Sequence, residues 1–130
     1  MILEELQKEF KILLNLQDDI KFTIEEPPKG INSDLSSNIL LQMSKKNKIN
    51  PEKLFEETIK KLKNSKLATD FIFSKPGFIN FNISKKRLIE ELQKIRKEGD
   101  KYPVIKQKKP ESILIDFVSS NPTGPLHIGH

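Results

Sequence analysis

Two histidines lie three residues apart at the end of the sequence, in the order His127, Ile128, Gly129 and His130. On a helix this spacing puts both imidazoles on one face. A helix N-terminus has free N–H groups and a favourable dipole, so both side chains can add donors to a bound phosphate. Gly129 leaves room for a nucleotide to approach the backbone. The pattern indicates a phosphate-binding turn that stabilises negative charge in adenylyl transfer.

The four residues by themselves are a short pattern that leaves other interpretations open. Two histidines near a chain end also occur as an ordinary loop feature or as a fortuitous metal pair. Zinc is disfavoured because no third ligand with suitable spacing lies nearby, and the chain has no cysteine. We therefore predict no metal site.

A near-continuous apolar run, Ile113 to Val118, precedes the turn. Such a run is expected for a strand buried on both faces of a parallel sheet. Residues 113–130 therefore have the pattern of the start of an α/β domain. One strand and a few helical residues cannot fold alone, so we expect a truncated piece of a longer protein. In that piece these residues should be disordered, or paired with a neighbouring chain through the open strand edge.

Residues 1–98 have the pattern of a separate α+β unit, with helices packed on an antiparallel sheet. Apolar spacing predicts a helix over 2–16, and Asn50 with Pro51 marks the start of another. Strands are predicted over 20–25, 68–74 and 78–83. Ser33 or Asp34 is expected to cap a helix that carries Leu35 and Ile39.

A final helix is expected between Ser84 as cap and Gly99 as stop. Its outer face is basic, and its predicted inner face consists of Leu88, Ile89, Leu92 and Ile95. Residues 99–112 then hold Gly, two Pro and a Lys cluster with little periodicity, which is typical of a linker.

The net charge of +5 permits a polyanion partner such as RNA, although the lysines can equally serve to solvate helix faces. No apolar run approaches the roughly 18 residues that a membrane span requires. The first residues also lack the pattern of a secretion signal. We expect a cytoplasmic protein without a membrane partner.

Three stretches together resemble a known family. Residues 117–130 read Phe-Val-Ser-Ser-Asn-Pro-Thr-Gly-Pro-Leu-His-Ile-Gly-His and resemble the class I aminoacyl-tRNA synthetase signature, the HIGH motif, as arginyl-tRNA synthetases carry it. Residues 76–81 match the Pro-Gly-Phe-Ile-Asn motif of that family's amino-terminal domain. Residues 33–38 resemble its Gly-Asp-Tyr-x-x-Asn motif, with Ser33 in place of Gly and Leu35 in place of the aromatic residue.

The resemblance implies an amino-terminal fragment of an arginine–tRNA ligase. Residues 1–98 would be its tRNA-binding domain, 99–112 a linker, and 113–130 the first strand and turn of a truncated Rossmann-like catalytic domain. Such enzymes activate arginine with ATP, with Mg²⁺, and transfer it to tRNA(Arg). We expect the fragment to be inactive, without a bound cofactor, and monomeric apart from artefactual pairing through the 113–118 strand.

The resemblance also implies roles for single residues. His127 and His130 would be catalytic and contact ATP phosphates. Asp116 and Asn121 would bind arginine, whose guanidinium suits a carboxylate acceptor. The whole ATP-binding motif comprises Ser120, Asn121, Pro122, Thr123, Gly124, Pro125, Leu126, His127, Ile128, Gly129 and His130.

Contacts with the D-loop at the tRNA elbow are implied for Asn38, Asn80, Asn82 and Phe81. Aromatic rings can stack on unpaired bases and asparagines can read base edges. The competing interpretation is that the phenylalanines lie in the core and the asparagines merely face solvent.

Two other functions remain open at this point. A free-standing RNA-binding module would make residues 113–130 a dispensable tail. Another His-x-Gly-His nucleotidylyltransferase would share the phosphate turn, but the Asn-Pro-Thr-Gly-Pro lead-in and the long preceding domain argue against it.

Overall fold

The computed structural model describes residues 1–102, 112–116 and 124–125. Four strands form one antiparallel sheet, and in chain order they are β1 (Ile24–Glu25), β2 (Leu35–Ser37), β3 (Ala68–Ser74) and β4 (Phe78–Ile83). Their order across the sheet is β1-β2-β4-β3. Together with four α-helices this confirms the predicted α+β class. The elements are α1 (Ile2–Leu13), β1 (Ile24–Glu25), β2 (Leu35–Ser37), α2 (Ile39–Asn47), α3 (Pro51–Leu62), β3 (Ala68–Ser74), β4 (Phe78–Ile83), α4 (Lys85–Glu98) and a short 3₁₀ turn, Gly99–Lys101.

The core lies between one face of the sheet and helices α1, α2 and α3. Leu35 and Phe81 lie side by side on β2 and β4, and both are buried. The Phe81 ring lies 5.2 Å from the ring of Phe10 on α1, centroid to centroid. Removal of these apolar side chains from water is the main force that holds the helices on the sheet. The buried apolar set is Leu6, Phe10, Leu14, Phe22, Ile24, Leu35, Ile39, Leu40, Leu54, Leu62, Ala68, Ile79 and Phe81.

The local signals for two helix starts are confirmed. Asn50 caps α3, because its side chain accepts a hydrogen bond from the N–H of Glu52 at 2.9 Å. Ser84 caps α4 through the N–H of Arg87 at 3.3 Å. Gly99 ends α4 with φ +52°, a conformation that glycine adopts easily.

The prediction for the segment after Ser33 was wrong at its start. Leu35–Ser37 form strand β2, and α2 begins only at Ile39. β2 is an inner strand paired with both β1 and β4, so long-range pairing overrides the local capping signal. Helix α1 ends at Leu13, whereas the predicted helix extended to residue 16. Strand β1 consists of Ile24–Glu25 only, whereas the predicted strand covered residues 20–25.

The predicted inner face of α4 was also wrong. Leu88, Ile89, Leu92 and Ile95 are all exposed, and the buried side chain of this helix is Arg87. Residues 112–116 form no strand, and the rest of the predicted strand lies outside the described residues. No helix within the described ranges has the length and apolar character needed to cross a bilayer.

Candidate nucleic-acid interface

A cavity of about 230 Å³ opens on the sheet face that points away from α1, α2 and α3. Strands β1, β2 and β4 form its floor, and the loop after β1 and the turn before β4 form its walls. Its volume is below the roughly 300–1,000 Å³ typical of drug-sized ligand sites, so it suits one small group. The lining residues are Thr23, Glu25, Glu26, Pro28, Ile31, Ser36, Asn38, Ser74, Lys75, Phe78 and Asn80.

Asn80 lies on the floor of the cavity. Alternation along β4 turns it away from the core residues Ile79 and Phe81, and the strand register places Ser36 and Ile72 beside it. Its side chain is almost fully buried, with 3% of the residue exposed. The amide oxygen Oδ1 has no hydrogen-bond partner among the described residues.

An unpaired buried amide oxygen has an energetic consequence. Leaving such an acceptor without a partner costs about 1–3 kcal/mol. Buried polar groups in folded proteins are nearly always paired, so an exception calls for a physical reason. A group that donates a hydrogen bond to Asn80 Oδ1 would remove this cost, so the atom is a candidate binding point.

Asn38 lies at the junction between the sheet and α2. Its Oδ1 accepts the N–H of Thr23 at 2.9 Å, and the neighbouring Ser37 hydroxyl donates to the Thr23 carbonyl at 2.8 Å. These bonds fix the chain before β1 against the start of α2. With Oδ1 engaged, the amide NH₂ is the part of Asn38 that still has donors to offer in the cavity.

The turn before β4 holds the cavity wall in place. The carbonyl of Gly77 accepts the N–H of Leu41 at 3.2 Å. A Cβ at position 77 would lie 2.9 Å from Leu41 Cδ2 and 3.1 Å from Pro51 Cβ, so only glycine fits without a shift. The next residue, Phe78, is thereby placed half-buried in the cavity wall.

The charges around the cavity favour base edges over phosphates. Glu25 and Glu26 line it together with Asn80, so the lining includes two acidic side chains. Lys75 contributes little positive charge there, because it is exposed and lies 3.7 Å from Glu52 in a surface ion pair. A ligand with N–H donors fits this arrangement better than an anion does.

Phe81 and Asn82 are not in the cavity, although both were predicted as tRNA contacts. Phe81 has no exposed surface, so its ring belongs to the core and offers no face to a base. Asn82 accepts the N–H of Asp34 at 3.0 Å and donates to Asp70 Oδ2 at 3.2 Å. Both ends of its amide therefore hold the loop before β2 and the irregular part of β3 in place.

Sequence reasoning missed Ser36 and Phe78 as part of the site. Ser36 lies in β2, which looks locally like the start of a helix, so no local signal marked it. Phe78 shares a face with Asn80 in the predicted strand, and that alternation could have singled it out. Leu35, the departure from the family motif, is buried beside Phe81, so the change affects the core rather than the cavity.

The predicted catalytic and ATP-binding residues lie almost entirely outside the described residues. Of the motif, only Gly124 and Pro125 are described, and both are exposed. Asp116 is exposed as well. The sites predicted for ATP, at His127 and His130, and for arginine, at Asp116 and Asn121, stay predictions.

Comparison with known proteins identifies the family. Residues 1–83 match the family described as "Arginyl tRNA synthetase N terminal domain". The chain belongs to the arginyl-tRNA synthetase family. It is 36% identical over 112 residues to an arginine–tRNA ligase of Cupriavidus metallidurans, covering 83% of this chain and 19% of that protein. It is 35% identical over 131 residues to that of Staphylococcus epidermidis, covering 99% of this chain and 24% of that protein.

The chain thus spans about a fifth of the length of these relatives. A solved arginyl-tRNA synthetase of Thermus thermophilus resembles it with a TM-score of 0.56 and 17% identity, over 70% of this chain and 15% of that one. At that identity the likeness shows a shared fold. The family resemblance inferred from the sequence motifs is confirmed.

Proposed function

We propose that this chain is the tRNA-binding amino-terminal region of an arginine–tRNA ligase, and that its cavity holds one unpaired base of the tRNA(Arg) D-loop. The single observation that carries this proposal is that Asn80, whose buried Oδ1 has no partner among the described residues, lines the same cavity as the half-buried Phe78. Family membership indicates that the ligand is a tRNA, and the volume of the cavity suits one base.

The two asparagines act as a complementary pair in this proposal. Asn80 Oδ1 accepts from an N–H on the edge of the base, and the NH₂ of Asn38 donates to a carbonyl or ring nitrogen. Phe78 supplies an apolar surface for the base; stacking on an aromatic side chain is worth about 1–3 kcal/mol per base. Specific RNA recognition usually targets loop bases, because their edges and faces are free.

The basic outer face of α4 supports binding of the RNA backbone. Lys85, Lys86, Lys94, Arg96 and Lys97 are all exposed. Phosphate contacts of this kind release counterions, so the affinity should be modest and should fall as salt is added. Base recognition in the cavity and phosphate attraction at α4 are therefore separable contributions.

The experiment is a titration of tRNA(Arg) against the 130-residue chain and its Asn80→Ala variant. Loss of one well-made hydrogen bond to the base predicts about tenfold weaker binding. Asn64→Ala is the matched control, since Asn64 is an exposed asparagine in the turn after α3, outside the cavity lining. Equal affinity of the Asn80→Ala variant and the unaltered chain would contradict the proposal.

A second tRNA sharpens the titration. In a tRNA(Arg) that lacks the recognised D-loop base, the cavity has no base to bind. Asn80→Ala should therefore cause no further loss of affinity for that tRNA. Scanning the abasic position along the D-loop would identify the recognised nucleotide. If Asn80→Ala weakens every abasic tRNA by the same factor, the residue acts elsewhere and the cavity is not the base site.

For the complete ligase we propose the reaction that its relatives' name states, the joining of arginine to tRNA, in the cytoplasm. His127 and His130 would contact ATP phosphates, with Mg²⁺, within the motif of residues 120–130. Asp116 and Asn121 would hold the arginine. Support comes from the motif resemblance and from family membership. Arginine-dependent ATP–pyrophosphate exchange should be absent in the 130-residue chain. Measurable exchange would refute the proposal that catalysis requires the rest of the ligase.

A further inference from the structure

Helix α4 carries an apolar stripe that nothing in the described part of the chain covers. Its four side chains follow helical spacing and expose between 38% and 64% of their surface; they are Leu88, Ile89, Leu92 and Ile95. Single exposed apolar residues are ordinary, but a continuous stripe marks an interaction surface.

The stripe is presented at a fixed orientation. The guanidinium of Arg87, which is 9% exposed, forms a two-pronged contact with Glu5 of α1 at 2.9 and 3.0 Å. Its third nitrogen lies 2.7 Å from Glu91 on the same helix, and the hydroxyl of Tyr102 donates to Glu91. Fork-shaped contacts of this kind fix direction as well as distance. α4 is thus locked to α1 while its apolar side stays open.

We propose that this stripe is the docking face for the catalytic part of the same ligase polypeptide, an inference that rests on the proposed function. The family match ends at residue 83, immediately before α4, so this helix lies at the carboxyl-terminal border of the matched domain. The matched relatives are four to five times as long as this chain, so most of such a polypeptide lies beyond these residues.

The connecting chain is long enough for this arrangement. α4 has 14 residues, and at 1.5 Å per residue it is about 21 Å long. The roughly eleven residues from Tyr102 to Ile113 can span at most about 36–40 Å. Polypeptide that starts at Ile113 can therefore fold back onto any point of the stripe. Ile113, Leu114 and Ile115 are themselves exposed apolar residues that need a partner.

The charge of α4 disfavours a second copy of this chain as the occupant. The helix has six basic and three acidic residues, so two copies packed stripe to stripe would bring two helices of net positive charge together. The surface that complements the stripe is an apolar patch. We place such a patch on the catalytic part.

The test compares amide hydrogen exchange in the 130-residue chain and in the complete gene product that contains it, both without tRNA. Docking should slow exchange of the α4 amides at least tenfold in the complete product. The amides of α3, which already packs in the core, should exchange at similar rates in both. Equal α4 exchange in both proteins, or a gene product that ends at His130, would overturn the proposal.

A pair of variants assigns the protection to the stripe. Leu92→Lys should abolish the extra protection of α4 in the complete product and leave the melting temperature of the 130-residue chain unchanged, because Leu92 is already 64% exposed there. Ile12→Lys is the matched control, since Ile12 is 77% exposed on α1, away from the stripe. Protection that survives Leu92→Lys would show that the catalytic part does not use this face.

Analytical ultracentrifugation tests whether a second copy of the chain occupies the stripe. If the complete product forms a dimer that Leu92→Lys dissociates, the occupant is a second copy and the proposal fails. None of these readouts involves tRNA, and the Asn80 titration does not involve the stripe. Failure of the docking proposal and failure of the tRNA-binding proposal are therefore distinguishable.

Discussion

Alternate residues of strand β4 lie on opposite faces of the sheet and differ in their environments. Ile79 and Phe81 point into the core and are fully buried with all their contacts made inside the fold. Phe78 and Asn80 point to the other side, where Asn80 is equally hidden from solvent but leaves a polar atom unpaired. Two buried side chains of one strand can therefore differ in whether their polar atoms have hydrogen-bond partners.

The largest expected effect is on the core face. Phe81→Ala removes a fully buried ring that contacts Phe10, and should lower the free energy of unfolding by about 3–5 kcal/mol. Urea denaturation monitored by circular dichroism measures this loss. A loss below about 1 kcal/mol would show that the two faces of β4 do not differ as described.

Asn82 should behave as a structural residue although it shares a face with Asn80. Asn82→Ala breaks two hydrogen bonds, to Asp34 and to Asp70, and should cost about 1–2 kcal/mol of stability. The same denaturation series measures it. Affinity for tRNA, measured on the folded variant, should stay within about twofold, and a tenfold loss would extend the binding site to Asn82.

Acid should weaken the attachment of α4 to the domain while leaving the sheet intact. The hydrogen bonds from Arg87 lower the pKa of Glu5 below its ordinary value. This stabilisation is therefore complete above the ordinary Glu pKa of about 4.3 and is lost as the pH falls through the lowered pKa. The Glu5 side chain is 45% exposed, so the effect should be at most about 1 kcal/mol.

The pH dependence is read by comparing the unaltered chain with Glu5→Gln. The difference between their unfolding free energies should be constant from pH 7 to pH 5 and should shrink below that range. A difference that does not change between pH 7 and pH 2 would mean that the negative charge of Glu5 contributes nothing to stability.

The smallest expected change in stability is at Asn80 itself. Asn80→Ala removes an unpaired buried oxygen and so relieves the cost of burying it, while the shorter side chain loses packing contacts. These two effects oppose each other, so the melting temperature should hardly change. Differential scanning calorimetry without RNA measures this. A drop as large as that of Asn82→Ala would mean that the Asn80 amide stabilises the fold, and the contrast between the two asparagines would be lost.

The elements with strong local signals were predictable. Helix α3 begins where Asn50 and Pro51 place it, and the turn with Gly77 separates two strands whose bounds match the prediction. β2 was not predictable, because Leu35–Ser37 become a strand only by pairing with β4, more than forty residues later. The open face of α4 was not predictable either, since a helical apolar stripe looks the same whether its partner is present or absent.

By itself, the sequence determined the family, the α+β class and the motif that contains Asn80, because these depend on residue identity and local spacing. Only the tertiary structure decided which of the asparagines on β4 keeps an amide oxygen without a partner among the described residues. Alternation gives Asn80 and Asn82 the same face, but the partners of Asn82 come from positions 48 and 12 residues away. Which polar groups are satisfied in a folded chain depends on such distant segments, and no local pattern contains them.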